Sequence, residues 1–518
     1  MFDILIRNGN VIDGSGLQWF GADVGIVGDR ISAVGPLPKA AAKQTIDATG
    51  KIVAPGLMDA HVHGDLVLLA DPAHEQAIRQ GVTTYIIGQD GVAMAPASAT
   101  TLEYMRRYTA GFNGNFPTPG LEWSSLDEYL NLFKGRSSLN AACLIPNGNI
   151  RMEEMGLATR EPSTDELAKM RRRVHEAMEQ GAIGLSTGLD YIPSRYANTE
   201  EIVDLCKEIA PYNGVYVTHM RGYSPEKVIE SMDEVERIGR EAGCPVHISH
   251  FNSLADQVIP KLDSMRANGV DVTFDLYCYL FGSTILGMIA LPAEFQEGGI
   301  EPTLARLRDP STRRSLRDWF AAPRIPLEKV RLGSVPSEEY RHLEGMTLEA
   351  AAKETSRSIG DLVCDLLIAT GMATNCVVPH NPLRKEDDIT KLMRHPAMMA
   401  GSDGIYIGGK PHPRGTGCFA KYLGHYVRSG VWSLEEAIMK SSYHVARRYG
   451  LKDRGLIRAG CAADVIVFDA NTIADCSTFD EGKTLATGME HVVVNGQLAL
   501  HDGKRTPARP GLGLRRSA

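Results

Sequence analysis

The sequence predicts an α/β protein: a (β/α)8 TIM-like barrel joined to a small β-sandwich domain built from both termini. Three observations carry this. The middle of the chain alternates short apolar runs with amphipathic helical stretches, which is the pattern of a parallel sheet with right-handed crossovers. Both ends are rich in β-type runs broken by turn residues. Polar residues recur just after the apolar runs, where a barrel presents its catalytic groups.

Residues 1–57 read as short strands over 3–7, 9–12, 22–27, 30–34, 44–47 and 51–54. Asn8-Gly9, Asp13-Gly14 and Gly28-Asp29 supply turn chemistry between them. At the far end, 463–468 reads as a strand, and 491–495 with 497–500 as a hairpin around Asn495-Gly496. Chain ends commonly lie near each other at a domain surface, so residues 1–57 and 455–518 are assigned to one β-sandwich domain. The tail after Gly503 is basic, carries prolines and glycines, and is expected to fray.

Residues 58–454 are assigned to the barrel. Strand-like runs lie at 83–87, 140–145, 183–186, 215–218, 246–249, 270–275, 376–379 and 398–402. Helical stretches at 163–180, 199–210 and 225–242 fall between them, and Ser163-Thr164-Asp165-Glu166 opens the first with a capping box. Residues 282–345 break the alternation with Pro292, Gly298-Gly299, Pro302, Pro310, Pro323 and Pro326. They are read as an insertion or a long lid near the barrel mouth.

With 518 residues, 43% hydrophobic and 23% charged, the composition is that of an ordinary globular protein. A net charge of −8 with no long basic run argues against a nucleic-acid partner. No apolar stretch approaches the ~20 residues needed to span a bilayer, and the first residues enter a strand pattern without a signal-peptide layout. Nine cysteines without paired spacing read as reduced thiols of a cytoplasmic protein. The expected partner is a small-molecule substrate, with no membrane; the sequence leaves room for a homo-oligomer.

The chemistry collects at strand ends. Gly56-Leu57-Met58-Asp59-Ala60-His61-Val62-His63 reads as a buried strand ending in two histidines. Side chains at i and i+2 of a strand share a face, so His61 and His63 reach one point. Asp90, His219, His250 and Asp403 each follow a further apolar run. Four histidines and two carboxylates without a thiolate suit zinc, and also manganese, cobalt or iron. An ion there lowers the pKa of a bound water to ~7 and polarises a carbonyl. Asp403 is then the general base that takes the water proton and passes it to the leaving group. His247 is left out of the site, because in a regular strand it faces away from His250. His380, His395, His425 and His444 have no strand-end argument, and His412 receives no role.

These residues resemble the amidohydrolase superfamily, and more locally its N-acyl-D-amino-acid deacylase (D-aminoacylase) branch. The similar pieces are Gln80-Gly-Val-Thr-Thr84, Gly184-Leu-Ser-Thr-Gly188 with Tyr191, Thr218-His-Met-Arg221, Ile248-Ser-His250, Tyr277-Cys-Tyr279 with Gly282-Ser-Thr284, Gly401-Ser-Asp-Gly404, His412-Pro-Arg414 and Leu423-Gly-His-Tyr-Val427. The stretch from Asp453 to Val467 belongs to the superfamily generally. The resemblance implies hydrolysis of the amide of N-acyl-D-amino acids, giving a carboxylate and a free D-amino acid. It also implies one or two divalent ions, held by His61 and His63, by His219 and His250, and bridged by Asp90. Substrate contacts are expected from Tyr191, Arg221, Asn252, Tyr279, Ser283 and Arg414. Two departures stand out. Asp90 occupies the place of a bridging cysteine, and Asn252 that of a lysine implied to bind the substrate carboxylate. The second departure opens an alternative substrate: a dipeptide, a cyclic amide or another amide without a free carboxylate.

Overall fold

The computed structural model describes every residue except Arg324, Ser517 and Ala518. Both ends of the chain build one nine-stranded sheet. Its order runs from Lys504–Arg505 through Gln497–His501, Met489–Val494 and Val465–Phe468 to Ile52–Pro55, then Phe2–Val11, Phe20–Val27 and Arg30–Gly35; Ala42–Asp47 pairs beside Phe2–Val11. The two ends meet where Ile52–Pro55 runs antiparallel to Val465–Phe468, with Val53 opposite Val467. Alternation along these strands serves two cores. Val53, Val465 and Val467 pack with Ile4, Ile6, Val24 and Ile26, while Ile52, Ala54, Ile466 and Phe468 face the main core of the molecule.

The middle of the chain forms two parallel sheets. One holds Leu57–Asp59, Val82–Ile87 and Asn140–Cys143. The other holds Ile145–Pro146, Gly184–Gly188, Val215–His219, Val246–Ile248, Val272–Leu276 and Met398–Ala400. Hydrogen bonds cross between them at two places. At one, Leu144 N donates to Ile87 O at 3.0 Å and Ile183 N to Cys143 O at 3.1 Å. At the other, Ala60 N donates to Ala400 O at 3.1 Å and Asp403 N to His61 O at 2.7 Å, and Val62 pairs with Gly404.

Helices alternate with these strands. Thr164–Glu179 opens on the anticipated capping box: Glu166 N donates to Ser163 Oγ, and Ser163 N to the Glu166 carboxylate. Its Met170, Val174, Ala177 and Met178 are buried. Thr199–Ile209 is capped by Asn198, and Val228–Ala242 ends at Gly243 in the left-handed region. Among the described residues, no helix is long and apolar enough to cross a membrane.

Two expectations are corrected. The run at 376–379 is not one of the parallel strands. Asn375–Pro379 lies between Phe281–Ile285 and Arg331–Ser334 in a small antiparallel sheet. The inserted unit thus reaches from Phe281 to Pro379, and its Leu286, Leu304, Leu332, Leu362 and Leu366 pack into a second core shared with Met105, Tyr108 and Tyr191. An apolar run looks the same in either sheet; only its distant partner decides. Nor does the tail fray as far as Arg516. Gly513–Leu514 adds in parallel to Asn140–Cys143, and Gly511 N donates to Ser137 O at 2.8 Å.

A buried polar network ties the tail, the terminal sheet and the strand at Asn140 together. Asp464 pairs with the Arg454 guanidinium, accepts from Asn495 N at 2.7 Å and accepts from Asn140 Nδ2 at 3.2 Å. Asn495 Nδ2 donates to Asn140 Oδ1 at 2.7 Å and to Pro510 O at 2.8 Å. Replacing Asp464 with Ala leaves a buried guanidinium without its counter-charge. We expect a loss of about 3–5 kcal/mol, read as a lower midpoint in denaturant; a wild-type midpoint would show the network to be dispensable.

Candidate metal centre and its pocket

The six strand-end residues converge. His61 follows the Leu57–Asp59 strand and is fully buried; His63 is nearly so. His61 Nε2 lies 3.7 Å from Asp90 Oδ1 and 3.8 Å from Asp403 Oδ1. His63 Nε2 lies 3.7 Å from Asp90 Oδ2 and 3.2 Å from Asp403 Oδ1. His250 Nε2 is 3.8 Å from Asp90 Oδ1 and 3.0 Å from His219 Nδ1.

Local backbone geometry makes this possible. Asp90, His250 and Asp403 have φ of 58°, 35° and 50°. A left-handed residue just past a strand end turns the chain sharply and re-aims its side chain, at a cost the surrounding packing must cover. His247, left out of the site, does not line the cavity and is in neither set of metal donors. Its strand ends at Ile248, so the period of two does not extend to His250. His247 Nε2 meets Asp275 Oδ2 at 2.9 Å, and Asp275 Oδ1 accepts from His250 N at 2.8 Å. Asp275 Oδ2 is also 3.5 Å from His61 Nδ1. Asp275 was missed by the sequence reading, although a carboxylate at the end of an apolar strand was the signal used for Asp403.

Electrostatics favour a cation here. Against the opposing effect of burial, neighbouring imidazoles hold the Asp90 and Asp275 carboxyls well below the usual range. Arg414, with His63, does the same for Asp403. Burial lowers the His61 pKa, yet Asp275, Asp90 and Asp403 push it up to about 9. Both ring nitrogens of His61, and Asp90 Oδ1, are buried without a hydrogen-bond partner. Such orphans are rare unless something other than the protein satisfies them. His61, His63 and Asp403 form one set of donors within 4.8 Å of one another; His61, Asp90 and His250 form a second. Two donors each ~2.1 Å from one ion stand about 3–3.5 Å apart, close to the separations seen. Residue types, burial and spacing therefore fit one or two divalent ions.

His63, Asp90, His219, His250 and Asp403 line a cavity of about 370 Å³, while His61 is fully buried. Phe112, Met288, Ile289, Ile325, Val378 and Ile405 give it apolar walls, four of them from the inserted unit. Of the residues expected to meet substrate, Tyr191, Asn252 and Ser283 line it. Tyr191 Oη lies 3.1 Å from Thr284 Oγ1, Asn252 Nδ2 donates to His250 O at 2.8 Å, and Ser283 Oγ donates to Asn375 Oδ1 at 3.3 Å.

The other three are not brought to the cavity. Arg221 is spent on Glu234, at 2.9 and 3.1 Å from Nε, and on the carbonyls of Arg195 and Ala197. Tyr279 packs against His412 under the Lys421 ammonium, 4.4 Å from the ring centre; Tyr277 takes the lining position instead. Arg414 lies behind the wall. Its Nη1 is 2.8 Å from Asp403 Oδ2, its Nη2 donates to Ser283 O at 3.1 Å, and its guanidinium stacks over Tyr277 at 4.4 Å. It orients Asp403 rather than contacting substrate. His412 is buried, its Nε2 3.0 Å from Phe281 O. The reading also missed Tyr223 and His380, which line the cavity.

With the geometry in place, comparison with known proteins is informative. Residues 44–499 match the model of the amidohydrolase family. The chain belongs to that family. Over its whole length it is 32% identical to a D-aminoacylase of Alcaligenes xylosoxydans xylosoxydans, covering 98% of that protein. It is also 32% identical to an N-acyl-D-glutamate deacylase of the same organism, again over its whole length and 97% of the relative. The crystal structure of an N-acyl-D-glutamate deacylase from Bordetella bronchiseptica, complexed with zinc and a phosphonate inhibitor, superposes with a TM-score of 0.83 at 29% identity, covering 99% of both chains. The amidohydrolase chain is thus a metal-dependent hydrolase of carbon–nitrogen amide bonds.

His61 contributes to both donor sets. His61→Asn should therefore deplete bound divalent metal more than His219→Asn, measured by elemental analysis after dialysis. Equal metal content in the two variants would contradict a shared role.

Proposed function

We propose that this amidohydrolase cleaves the amide bond of N-acyl-D-amino acids, releasing a carboxylate and a D-amino acid, with zinc as its ion. The observation that carries the reading is the convergence of His61, His63, Asp90, His219, His250 and Asp403 on the floor of a largely apolar cavity. With Asn140–Cys143 and Ile145–Pro146 counted as one interrupted strand, the strands of the two parallel sheets are read as the eight of one closed (β/α)8 barrel. Residues 1–57 with 455–518 are read as the β-sandwich beside it. The bonds from Ala60 to Ala400 and from Ile183 to Cys143 support that closure. Nine free cysteines agree with a reducing, cytoplasmic setting. The D configuration rests on the names of the relatives.

His61, His63, Asp90, His219 and His250 would hold the metal, whose chemistry when bound is Lewis acidity. The remaining work belongs to the chain's own groups. Asp403 is ionised and has one oxygen on Arg414 and the other toward His63, so it is poised to take a proton from the attacking water. The same carboxyl then donates that proton to the departing nitrogen, which must leave as a neutral amine. Arg414 fixes the carboxylate plane through this exchange. The apolar walls exclude bulk water and receive the hydrophobic parts of the substrate, while Tyr191, Asn252 and Tyr277 offer polar contacts.

Replacing Asp403 with Asn keeps the shape and removes the proton acceptor. Turnover should fall by roughly 10²–10⁴-fold with metal retained; a near-wild-type rate would remove Asp403 from the mechanism. Amine release from matched N-acetyl D- and L-amino acids tests the substrate. Faster turnover of the D series supports the reading, and activity confined to dipeptides or cyclic amides would overturn it.

A further inference from the structure

His380 and Arg384 have no part in the scheme above, yet both are built into its wall. His380 follows the Asn375–Pro379 strand and lines the cavity. Arg384 lies four residues on and is 4% exposed. A guanidinium carries only N–H donors and accepts nothing. Its Nη1 stands 2.6 Å from His380 Nδ1 and also donates to Tyr279 O at 3.1 Å. His380 Nδ1 must therefore present its lone pair, which places the proton of a neutral ring on Nε2. That nitrogen is 3.0 Å from Tyr277 Oη. The Nε2–H donates to the phenol oxygen, and the phenol's own proton is left for a different acceptor. Tyr277 lines the cavity beside His250 and Asp403.

We propose that Arg384 and His380 are positioning residues: together they fix the imidazole tautomer that turns the Tyr277 hydroxyl into the cavity as a hydrogen-bond donor to an oxygen of the substrate. This rests on the amide-hydrolysis reading. The surroundings agree with it. Burial holds His380 neutral, helped by the positive charges of Arg384 and Arg414 near it. Burial likewise raises the Tyr277 phenol above its ordinary range, so it keeps its proton at neutral pH.

The test uses the metal-loaded full chain and the N-acetyl-D-amino acid it hydrolyses fastest, with thermal midpoint and metal content measured for each variant. His380→Leu removes the donor to Tyr277, and kcat/KM should fall about tenfold, the weight of one hydrogen bond. His380→Gln places an amide N–H near the same point and should recover most of that loss. Tyr277→Phe/His380→Leu should be no slower than Tyr277→Phe, because His380 acts only through the phenol. Arg384→Met frees the ring to take either tautomer. Its kcat/KM should fall by less than that of His380→Leu, since part of the population keeps the proton on Nε2, and combining it with Tyr277→Phe should add nothing to the loss of Tyr277→Phe alone. Wild-type-like rates in His380→Leu, multiplying losses in either double variant, or a loss in Arg384→Met larger than that in His380→Leu would each overturn the proposal. Absence of amide hydrolysis by the wild-type protein would instead overturn the functional reading beneath it.

Discussion

The structure depends on keeping Asp90, Asp275 and Asp403 buried and ionised within one cluster. Carboxylates deprived of water are tolerated only when paired and hydrogen-bonded. Here the pairing comes from four imidazoles and Arg414, on elements spread from His61 to Arg414. The bond that brings the chain segments together also places the chemistry. Asp403 N donates to His61 O, so joining the segment after Met398–Ala400 to the one after Leu57–Asp59 sets Asp403, the proposed acid/base, against the first histidine. Beneath this junction Asp59 receives Ser402 N at 2.8 Å. Burial pushes the Asp59 carboxyl up to about 7, against the opposing effect of Ser402.

Much of this centre was legible in the sequence because its signals are local. A strand ending in His-x-His obeys the period of two, and an apolar run that stops at a carboxylate or histidine marks the barrel mouth whatever the rest of the chain does. Asp275 was not recovered although it carries the same signal, a carboxylate at the end of the apolar strand Val272–Leu276. The period-two argument applied to His247 assumes that the strand continues, and the left-handed turn at His250 ends it. No pattern in Ile248-Ser249-His250 announces a positive φ at a histidine.

The inserted unit was legible as an interruption but not in extent. Its strand Asn375–Pro379 is apolar like those of the parallel sheets, and its partner Phe281–Ile285 lies about ninety residues earlier. Pairing over such a separation leaves no trace in a single sequence. The consequence is functional, since Met288, Ile289, Ile325 and Val378 supply most of the apolar wall. The metal centre comes from the parallel strands, whereas the shape offered to substrate comes largely from the insertion.

Arginine shows where residue type alone fails. Arg221 and Arg414 both follow motif positions and both suit an anionic substrate group, yet neither lines the cavity. The guanidinium must satisfy five donors when buried, and the nearest carboxylate or carbonyls claim it first. Glu234 takes Arg221 two-pronged, and Arg414 divides itself between Asp403, Ser283 O and the face of Tyr277. Arg414 sits one layer behind the reacting centre, where its charge keeps Asp403 ionised. A carboxylate stabilised in this way is a weaker base, which agrees with the role proposed for Asp403 as a carrier of the proton, with a bound ion supplying the Lewis acidity. Arg384 extends the same logic to the other end of Tyr277, where an arginine that offers only N–H donors sets, through His380, which way the phenol hydroxyl is proposed to face.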